Sequence, residues 1–186
     1  MSDRIQIHDK VFRPYIPQQE LEAAIARVAE RLNQDYANVK EPPLLLCVLT
    51  GAIMFTSELM KRITFPCQVV ATKLSSYEGT RSTGEVHTLM DITADVRGRE
   101  VIIVEDIVDT GTTIFALRKH LAAKGAASSV VCAMLFKEAA YRRANGPSVP
   151  GPEYCALPIE DRFILGYGLD YDELGRNLPD IWILDE

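Results

Sequence analysis

The segment spanning residues 101–113, VIIVEDIVDTGTT, constrains the possible fold more than any other part of the chain. Its first four residues are apolar and mostly β-branched, which is typical of a strand buried on both faces. Two adjacent carboxylates, Glu105 and Asp106, follow, and Asp109 opens a loop rich in glycine and threonine before a helical pattern. Such acids can accept hydrogen bonds from sugar hydroxyls, and loop amides at a helix N-terminus can hold a phosphate. The segment therefore predicts a sugar-phosphate site.

The rest of the chain also alternates between apolar runs and helical patterns. Strands are expected at residues 44–49, 67–74, 101–104, 130–136, 163–167 and 181–184. Helices are expected at residues 18–36, 52–62 and around 114–121, and polar loops at 75–87 and 144–153. This alternation predicts one α/β domain over residues 1–186, with a mostly parallel twisted sheet and helices on both faces. Ligands in such sheets bind beyond the carboxyl ends of the strands.

Composition excludes several classes of protein. Hydrophobic residues make up 47% of the 186 residues, which is enough for a real core. No apolar run approaches the roughly 20 residues needed to span a membrane, and the N-terminus lacks a secretory signal. We therefore expect a cytoplasmic protein that does not bind membranes. The four cysteines show no CxxC spacing and are expected to be reduced thiols rather than zinc ligands.

The charge pattern and the motifs that are missing narrow the expected ligand. The net charge is −6 without a basic block, which disfavours nucleic-acid binding. An acidic protein that binds an anion needs local compensation, which a phosphate substrate carrying Mg²⁺ would provide. Neither GxxxxGK[ST] nor GxGxxG occurs, so a nucleotide triphosphatase and a dinucleotide dehydrogenase are both disfavoured. Because the loop at 109–113 has no lysine, a terminal monophosphate suits it better than a triphosphate.

These residues resemble a known signature. The segment 101–113 is similar to the phosphoribosyl-diphosphate (PRPP) motif of the type I phosphoribosyltransferases. Leu49-Thr50-Gly51 resembles the pyrophosphate loop of that family, and Ser76-Tyr77 resembles its closing lid. The segments 161–164 and 169–171, together with Lys137, resemble the purine end of the hypoxanthine-guanine branch. The resemblance implies the type I fold, with a small hood formed by the terminal segments.

For PRPP, the resemblance implies that Glu105 and Asp106 hold the ribose hydroxyls, directly or through Mg²⁺. The 5′-phosphate would be cradled by the loop residues Thr110, Gly111, Thr112 and Thr113. The pyrophosphate would contact the backbone of Thr50 and Gly51, with a cis peptide at Leu49–Thr50, and the side chain of Arg176. Some relatives carry lysine where Thr50 stands, so the role carried over to Thr50 is that of its backbone. Ser76 and Tyr77 would close over the leaving group and exclude water.

For the base, the resemblance implies that Asp109 is the general base that takes the purine proton, although aspartate also suits a helix N-cap. Lys137 would donate to the 6-oxo group and so select against adenine. Phe163 would stack on the purine ring, and Ile164 would offer backbone groups to its edge. Asp170 would bind Mg²⁺ through water, which gives Glu105, Asp106 and Asp170 as the metal residues.

The implied reaction joins a 6-oxopurine to PRPP and releases a nucleoside 5′-monophosphate and pyrophosphate, as in purine salvage. Lys137 fits hypoxanthine, guanine and xanthine alike, so a guanine- or xanthine-preferring enzyme remains an alternative. An RNA-binding regulator or a nucleotide sensor on the same fold is another, because fold does not determine function. The absence of a basic cluster and the presence of Asp109 and Lys137 favour the enzyme. The resemblance also implies a homodimer or homotetramer.

Overall fold

The computed structural model describes residues 4–76 and 86–185 of the chain. The strands are β1 Ile5–Ile7, β2 Lys10–Ile16, β3 Leu44–Leu49, β4 Gln68–Ser76, β5 Val86–Met90, β6 Glu100–Val108, β7 Ser128–Phe136, β8 Tyr154–Pro158, β9 Ile164–Leu165 and β10 Ile181–Leu184. The helices are α1 Gln18–Asp35, α2 Ile53–Met60, α3 Thr112–Ala123 and α4 Glu138–Asn145. Within the described residues, no helix is long and apolar enough to cross a membrane.

The central sheet has the order β5-β4-β3-β6-β7-β8. Five of its strands, β4, β3, β6, β7 and β8, run parallel. The sixth strand, β5, lies at the edge and runs antiparallel to β4. β3 is apolar throughout, β6 is apolar over the residues 101–104 that pair with β3, and both strands lie in the middle of the sheet, where both faces are covered. The predicted α/β fold with a mostly parallel sheet is confirmed. Because all five parallel strands point the same way, their carboxyl ends form one edge.

The helices cover both faces of this sheet, as predicted. One core cluster joins the apolar sides of α1 and α2 to Leu45 and Ile102, and the other joins α3 and α4 to Leu46 and Ile103. α1 buries residues at helical spacing, including Leu21, Ile25 and Val28 at its centre. Its first turn is capped from a distance, because the backbone N–H of Gln18 donates to Asp180 Oδ1 at 2.7 Å.

The terminal segments form a second, antiparallel sheet of order β1-β2-β10-β9. The predicted hood is therefore present, and residues from both ends of the chain build it. Phe12, Leu165 and Trp182 form its buried centre. Asp180, which caps α1, directly precedes β10 and so ties this sheet to the main body.

Several expected boundaries were wrong. The loop expected over 75–87 begins too early and ends too late, because β4 continues through Ser76 and β5 starts at Val86. The strand expected over 163–167 covers Ile164–Leu165 only, since the chain then turns at the positive-φ residues Gly166, Tyr167 and Gly168. β1, β2, β5, β8 and α4 were not predicted. All four cysteines are free thiols, of which Cys47 and Cys132 are buried and Cys67 and Cys155 are partly buried.

Candidate active site

Strand β6 brings the two adjacent acids into the site. The sequence placed the end of this strand at Val104, but the structure extends it to Val108, so Glu105 and Asp106 lie within the strand. The extension is stabilised by parallel pairing of Ile107 with Leu135 and of Val108 with Phe136 in β7. Both acids nevertheless lie near the carboxyl edge of the sheet, where a ligand is expected.

Both acids are held in an environment that disfavours their charged forms. Burial raises the pKa of Glu105 well above its ordinary value, and the neighbouring Asp106 adds to the effect. Burial also raises the pKa of Asp106 to about 6, although Ile107 N–H and Arg176 oppose the shift. Glu105 Oε2 is buried and makes no hydrogen bond. An unpartnered buried acceptor is costly, and a hydrogen-bond donor or a cation beside Glu105 Oε2 would offset that cost.

The pyrophosphate-loop residues pack directly against Asp106. A Cβ atom at Gly51 would lie 1.6 Å from Asp106 Oδ2, so a side chain at this position would displace the Asp106 carboxyl group. A Cβ atom at Gly168 would lie 2.0 Å from the carbonyl oxygen of Gly51, so Gly168 supports the loop from the other side. The peptide bond between Leu49 and Thr50 is cis, which the sequence alone did not decide. Thr50 is exposed and Gly51 is buried, so Thr50 is the residue of this pair that a ligand can reach from solvent.

Arg176 and Asp170 complete this side of the site. Arg176 donates to Asp170 Oδ1 at 2.8 Å and to the Gly168 carbonyl oxygen at 2.8 Å. Asp170 also accepts a hydrogen bond from the backbone N–H of Glu173 at 2.7 Å. Both side chains influence the pKa of Asp106, Arg176 lowering it and Asp170 raising it. The structure thus brings Gly51, Asp106, Asp170 and Arg176 together.

The predicted phosphate loop leads into α3. Gly111 has a φ of 84°, and the rings of Tyr141 and Phe115 leave no room for a side chain there. The hydroxyls of Thr110 and Thr112 are 3.0 Å apart, and no side chain caps the N-terminus of α3. The first-turn N–H groups of α3 therefore remain available to an anion. Thr113 lies in that first turn.

Lys137 lies between two carboxylates at the carboxyl end of β7. Its Nζ atom is 3.3 Å from Asp109 Oδ2 and 3.6 Å from Asp161 Oδ1, and its side chain is only 11% exposed. Asp161 also pairs with Arg143, which lowers the pKa of its carboxyl. Lys137 and Asp109, predicted for different tasks on the base, are therefore direct neighbours.

Phe163 follows Asp161 by two residues in the chain. It is 41% exposed, although its ring packs on Phe12 and Tyr171. Ile164 is buried in the core and pairs with Ile183, so its side chain cannot face a ligand. Ser76 is the last residue of β4, and Tyr77 lies outside the described residues.

Three residues with contacts in the site were missed or given no role by the sequence interpretation. Asn145 of α4 donates to the Thr110 carbonyl oxygen at 2.7 Å and so holds the phosphate loop. Asp161 and Tyr171 lie in the segments 161–164 and 169–171, which resemble the family, but neither residue was given a role. Asn145 carried no signal, because its contact depends on a helix that the sequence pattern did not reveal.

The metal residues do not form a closed protein site. Among residues 4–76 and 86–185, no group of three or more His, Cys, Asp or Glu side chains is arranged to hold a metal ion. Glu105, Asp106 and Asp170 would need additional oxygen ligands from a substrate. Oxygen ligands of this kind suit a hard divalent cation.

Comparison with known proteins agrees with this geometry. The phosphoribosyl transferase domain family matches residues 15–172. A hypoxanthine-guanine-xanthine phosphoribosyltransferase of Tritrichomonas foetus is 35% identical over 178 residues, covering 96% of this chain and 94% of the relative. A hypoxanthine-guanine phosphoribosyltransferase of Streptococcus thermophilus is 39% identical over 170 residues, covering 91% of each. The crystal structure of a Staphylococcus aureus hypoxanthine phosphoribosyltransferase superposes with a TM-score of 0.82 at 32% identity, covering 93% of this chain and 91% of that one. The chain therefore belongs to the phosphoribosyltransferase family.

Proposed function

We propose that this protein transfers the 5-phosphoribosyl group of PRPP to N9 of hypoxanthine and guanine in purine salvage. One observation carries the proposal: the strand that presents Glu105 and Asp106 leads directly to Asp109, which contacts Lys137. A sugar-binding pair of acids and a base-binding pair of charges are thus separated in the chain only by Ile107 and Val108. The relatives named hypoxanthine-guanine phosphoribosyltransferases support the same activity.

In the PRPP half of the site, Glu105 and Asp106 accept hydrogen bonds from the ribose hydroxyls. The unpartnered Oε2 atom of Glu105 supports this role, because a hydroxyl donor would satisfy it. The loop 110–113 and the uncapped N-terminus of α3 hold the 5′-phosphate. Thr50 and Gly51 offer backbone groups to the pyrophosphate, and Arg176 contributes a positive charge beside them.

Mg²⁺ is the cofactor we propose, held between substrate oxygens and the carboxylates of Glu105, Asp106 and Asp170. Two observations fit it: the raised pKa values of the two adjacent acids, and a third carboxylate close enough to raise that of Asp106. When bound, the ion neutralises charge on the leaving pyrophosphate. Arg176 keeps Asp170 oriented toward this region through their 2.8 Å contact.

In the base half, Lys137 donates to the 6-oxo group. Its Nζ atom lies beside Asp109 and Asp161, has donors only and would oppose the amino group of adenine. Asp109 accepts the purine proton as the N9–C1′ bond forms and the bond from C1′ to the pyrophosphate oxygen breaks. Phe163 stacks on the ring with its exposed side, and the backbone near Ile164 meets the base edge.

A broader base range is the second candidate. The relative from Tritrichomonas foetus is named for xanthine as well as hypoxanthine and guanine, and Lys137 suits all three. We further propose a single domain over residues 1–186, a cytoplasmic location, a homodimer or homotetramer, and a lid that includes Ser76 and Tyr77.

A spectrophotometric assay tests the proposal with PRPP, Mg²⁺ and one base at a time. Turnover is expected with hypoxanthine and guanine, little with adenine, and none after chelation of the metal. Xanthine turnover at a comparable rate would establish the broader range. Absence of turnover with every 6-oxopurine would contradict the proposed function and favour a regulator or sensor built on the same fold.

A further inference from the structure

Tyr171 contacts Phe163 in a cluster of three rings that we call the hood cluster, formed by Phe12, Phe163 and Tyr171. The Tyr171 and Phe163 ring centroids are 5.5 Å apart, and their planes meet at 85°. Phe12, which is fully buried in β2, lies 6.1 Å from Phe163 and 6.3 Å from Tyr171. Each ring therefore touches the other two, and Phe163 keeps one open side.

Residues 8–10, at the turn from β1 into β2, contact the side chain of Tyr171. The Tyr171 hydroxyl donates to Asp9 Oδ1 at 2.6 Å, and this bond lowers the pKa of the Asp9 carboxyl. The His8 ring centroid is 5.6 Å from that of Tyr171, and Lys10 Nζ lies 5.5 Å from it. Three consecutive residues of the N-terminal hairpin thus surround one side chain of the loop that follows β9.

This arrangement controls the plane of Phe163. Edge-to-face contacts between aromatic rings are directional, so Tyr171 favours one orientation of the Phe163 ring. A purine stacks well only on a ring whose plane is already fixed, because ordering a mobile ring on binding costs affinity. The ring of Phe12 meets that of Phe163 at a tilt of 42°, so the perpendicular contact with Phe163 comes from Tyr171.

We propose that Tyr171 is a positioning residue for the purine base, and that Asp9 in the N-terminal hairpin holds it. The inference rests on the proposed function, in which Phe163 stacks on the base. It assigns the hairpin, outside the sugar and phosphate parts of the site, a share in base affinity.

The experiment measures KM for hypoxanthine, KM for PRPP and kcat in the full-length protein. Tyr171→Leu is expected to raise the hypoxanthine KM about three- to tenfold, which is the range for loss of one aromatic pair. KM for PRPP and kcat should change less than about twofold, because the Tyr171 ring contacts Phe12 and Phe163, whereas the neighbouring Asp170 is held separately by Arg176 and the backbone N–H of Glu173. Tyr171→Phe and Asp9→Ala should give equal, smaller increases, and their combination should add nothing, since both remove the same hydrogen bond.

Two further variants separate positioning from general support of the fold. In a Phe163→Leu background, Tyr171→Leu should have no additional effect on the hypoxanthine KM. Tyr154→Phe is the matched control, because it removes a tyrosine-to-aspartate bond of 2.7 Å to Asp35, outside the proposed site. It should leave the hypoxanthine KM unchanged.

Two results would overturn the inference while the proposed function stands. One is an unchanged hypoxanthine KM in Tyr171→Leu, and the other is a full effect of that change in the Phe163→Leu background. An inactive wild-type protein would instead overturn the proposed function and the inference with it.

Discussion

Lys137 and Asp109 form an ion pair, with 3.3 Å between Nζ and Oδ2. Lys137 directly follows β7, and Asp109 directly follows β6, so the pair bridges the carboxyl ends of two neighbouring parallel strands. The ammonium is almost fully buried, with 11% of the side chain exposed. A buried charge of this kind is retained only with partners, and its partners here are two carboxylates of the proposed base site.

Replacing Lys137 by glutamine should weaken the selection of the base. The amide can accept as well as donate, so the penalty against adenine falls and the charged donor to the 6-oxo group is lost. The ratio of kcat/KM for hypoxanthine to kcat/KM for adenine should drop about 10- to 100-fold, as expected for loss of a hydrogen bond from a charged group. Lys124→Gln, which removes an ion pair to Asp91, is the control. An unchanged hypoxanthine-to-adenine preference would exclude Lys137 as the selecting residue.

Asp161→Asn should affect the base through Lys137. Asp161 contacts both Lys137 and Arg143, so its loss leaves the ammonium with Asp109 as its partner and frees a guanidinium nearby. Because Asp161 is 34% exposed, the effect is modest, about two- to fivefold in the hypoxanthine KM. Steady-state kinetics with varied hypoxanthine and then varied PRPP measure it. Asp95→Asn, an exposed carboxylate paired with Arg97, should change neither constant. An equal rise in both constants would argue against a specific link to the base.

Gly168→Ala should impair PRPP binding. The added Cβ atom would meet the carbonyl oxygen of Gly51, and backbone in a packed loop cannot yield cheaply. Gly98→Ala is the matched control, because Gly98 also has a positive φ, 69°, but open space around it. Calorimetric titration with PRPP and Mg²⁺ should show at least about a tenfold loss of affinity for Gly168→Ala and none for the control, in line with the cost of overpacking. Equal affinities would show that the loop tolerates displacement.

Asp106→Asn should stabilise the ligand-free protein at neutral pH. The folded state raises the pKa of Asp106 from 3.8 to about 6, so the folded protein binds this proton more tightly than the unfolded chain. Stability from this group is therefore complete below pH 3.8 and is lost as the pH rises through about 6. The free energy of unfolding of the variant, relative to wild type, should increase by about 1 to 3 kcal/mol between pH 4 and pH 7.5.

Urea denaturation at both pH values, without PRPP or metal, measures this difference. Ile107→Val alters a neighbouring side chain without changing charge and should show the same relative stability at both pH values. A pH-independent difference for Asp106→Asn would mean that burial does not raise the pKa of this carboxyl group. Asp106→Asn is thus expected to gain stability at the expense of ligand binding, and this trade-off is typical of functional residues.

The sequence predicted the sheet and the acids well because their patterns are local. Four apolar residues before Glu105 identify a buried strand without reference to any neighbour. The same local view ended β6 at Val104, because two acids interrupt the apolar run. In the structure, pairing with β7 carries the strand past them to Val108, which is a tertiary contact that no local pattern contains.

The hood shows where sequence interpretation failed. β2 reads KVFRPYI, whose Pro14 argues against a strand inside a sheet. Pro14 lies opposite Trp182 beside a shift in register, and such irregularities accommodate proline. The partner strand β10 is more than 160 residues away in the chain, so no local pattern contains this pairing, and only the family resemblance predicted the hood. Contacts such as Tyr171 with Asp9 depend on that pairing and remained hidden with it.

Asp109→Asn tests the central division of roles most directly. We expect kcat with hypoxanthine to fall about 100-fold or more, since a positioned general base contributes 10²–10⁴-fold. The dissociation constant for PRPP, measured by calorimetric titration with Mg²⁺, should stay within about twofold of wild type, because Asp109 is assigned to the purine proton and asparagine keeps nearly the same shape beside the phosphate loop. An equal loss of PRPP affinity would contradict the account and make Asp109 a structural part of the phosphate loop.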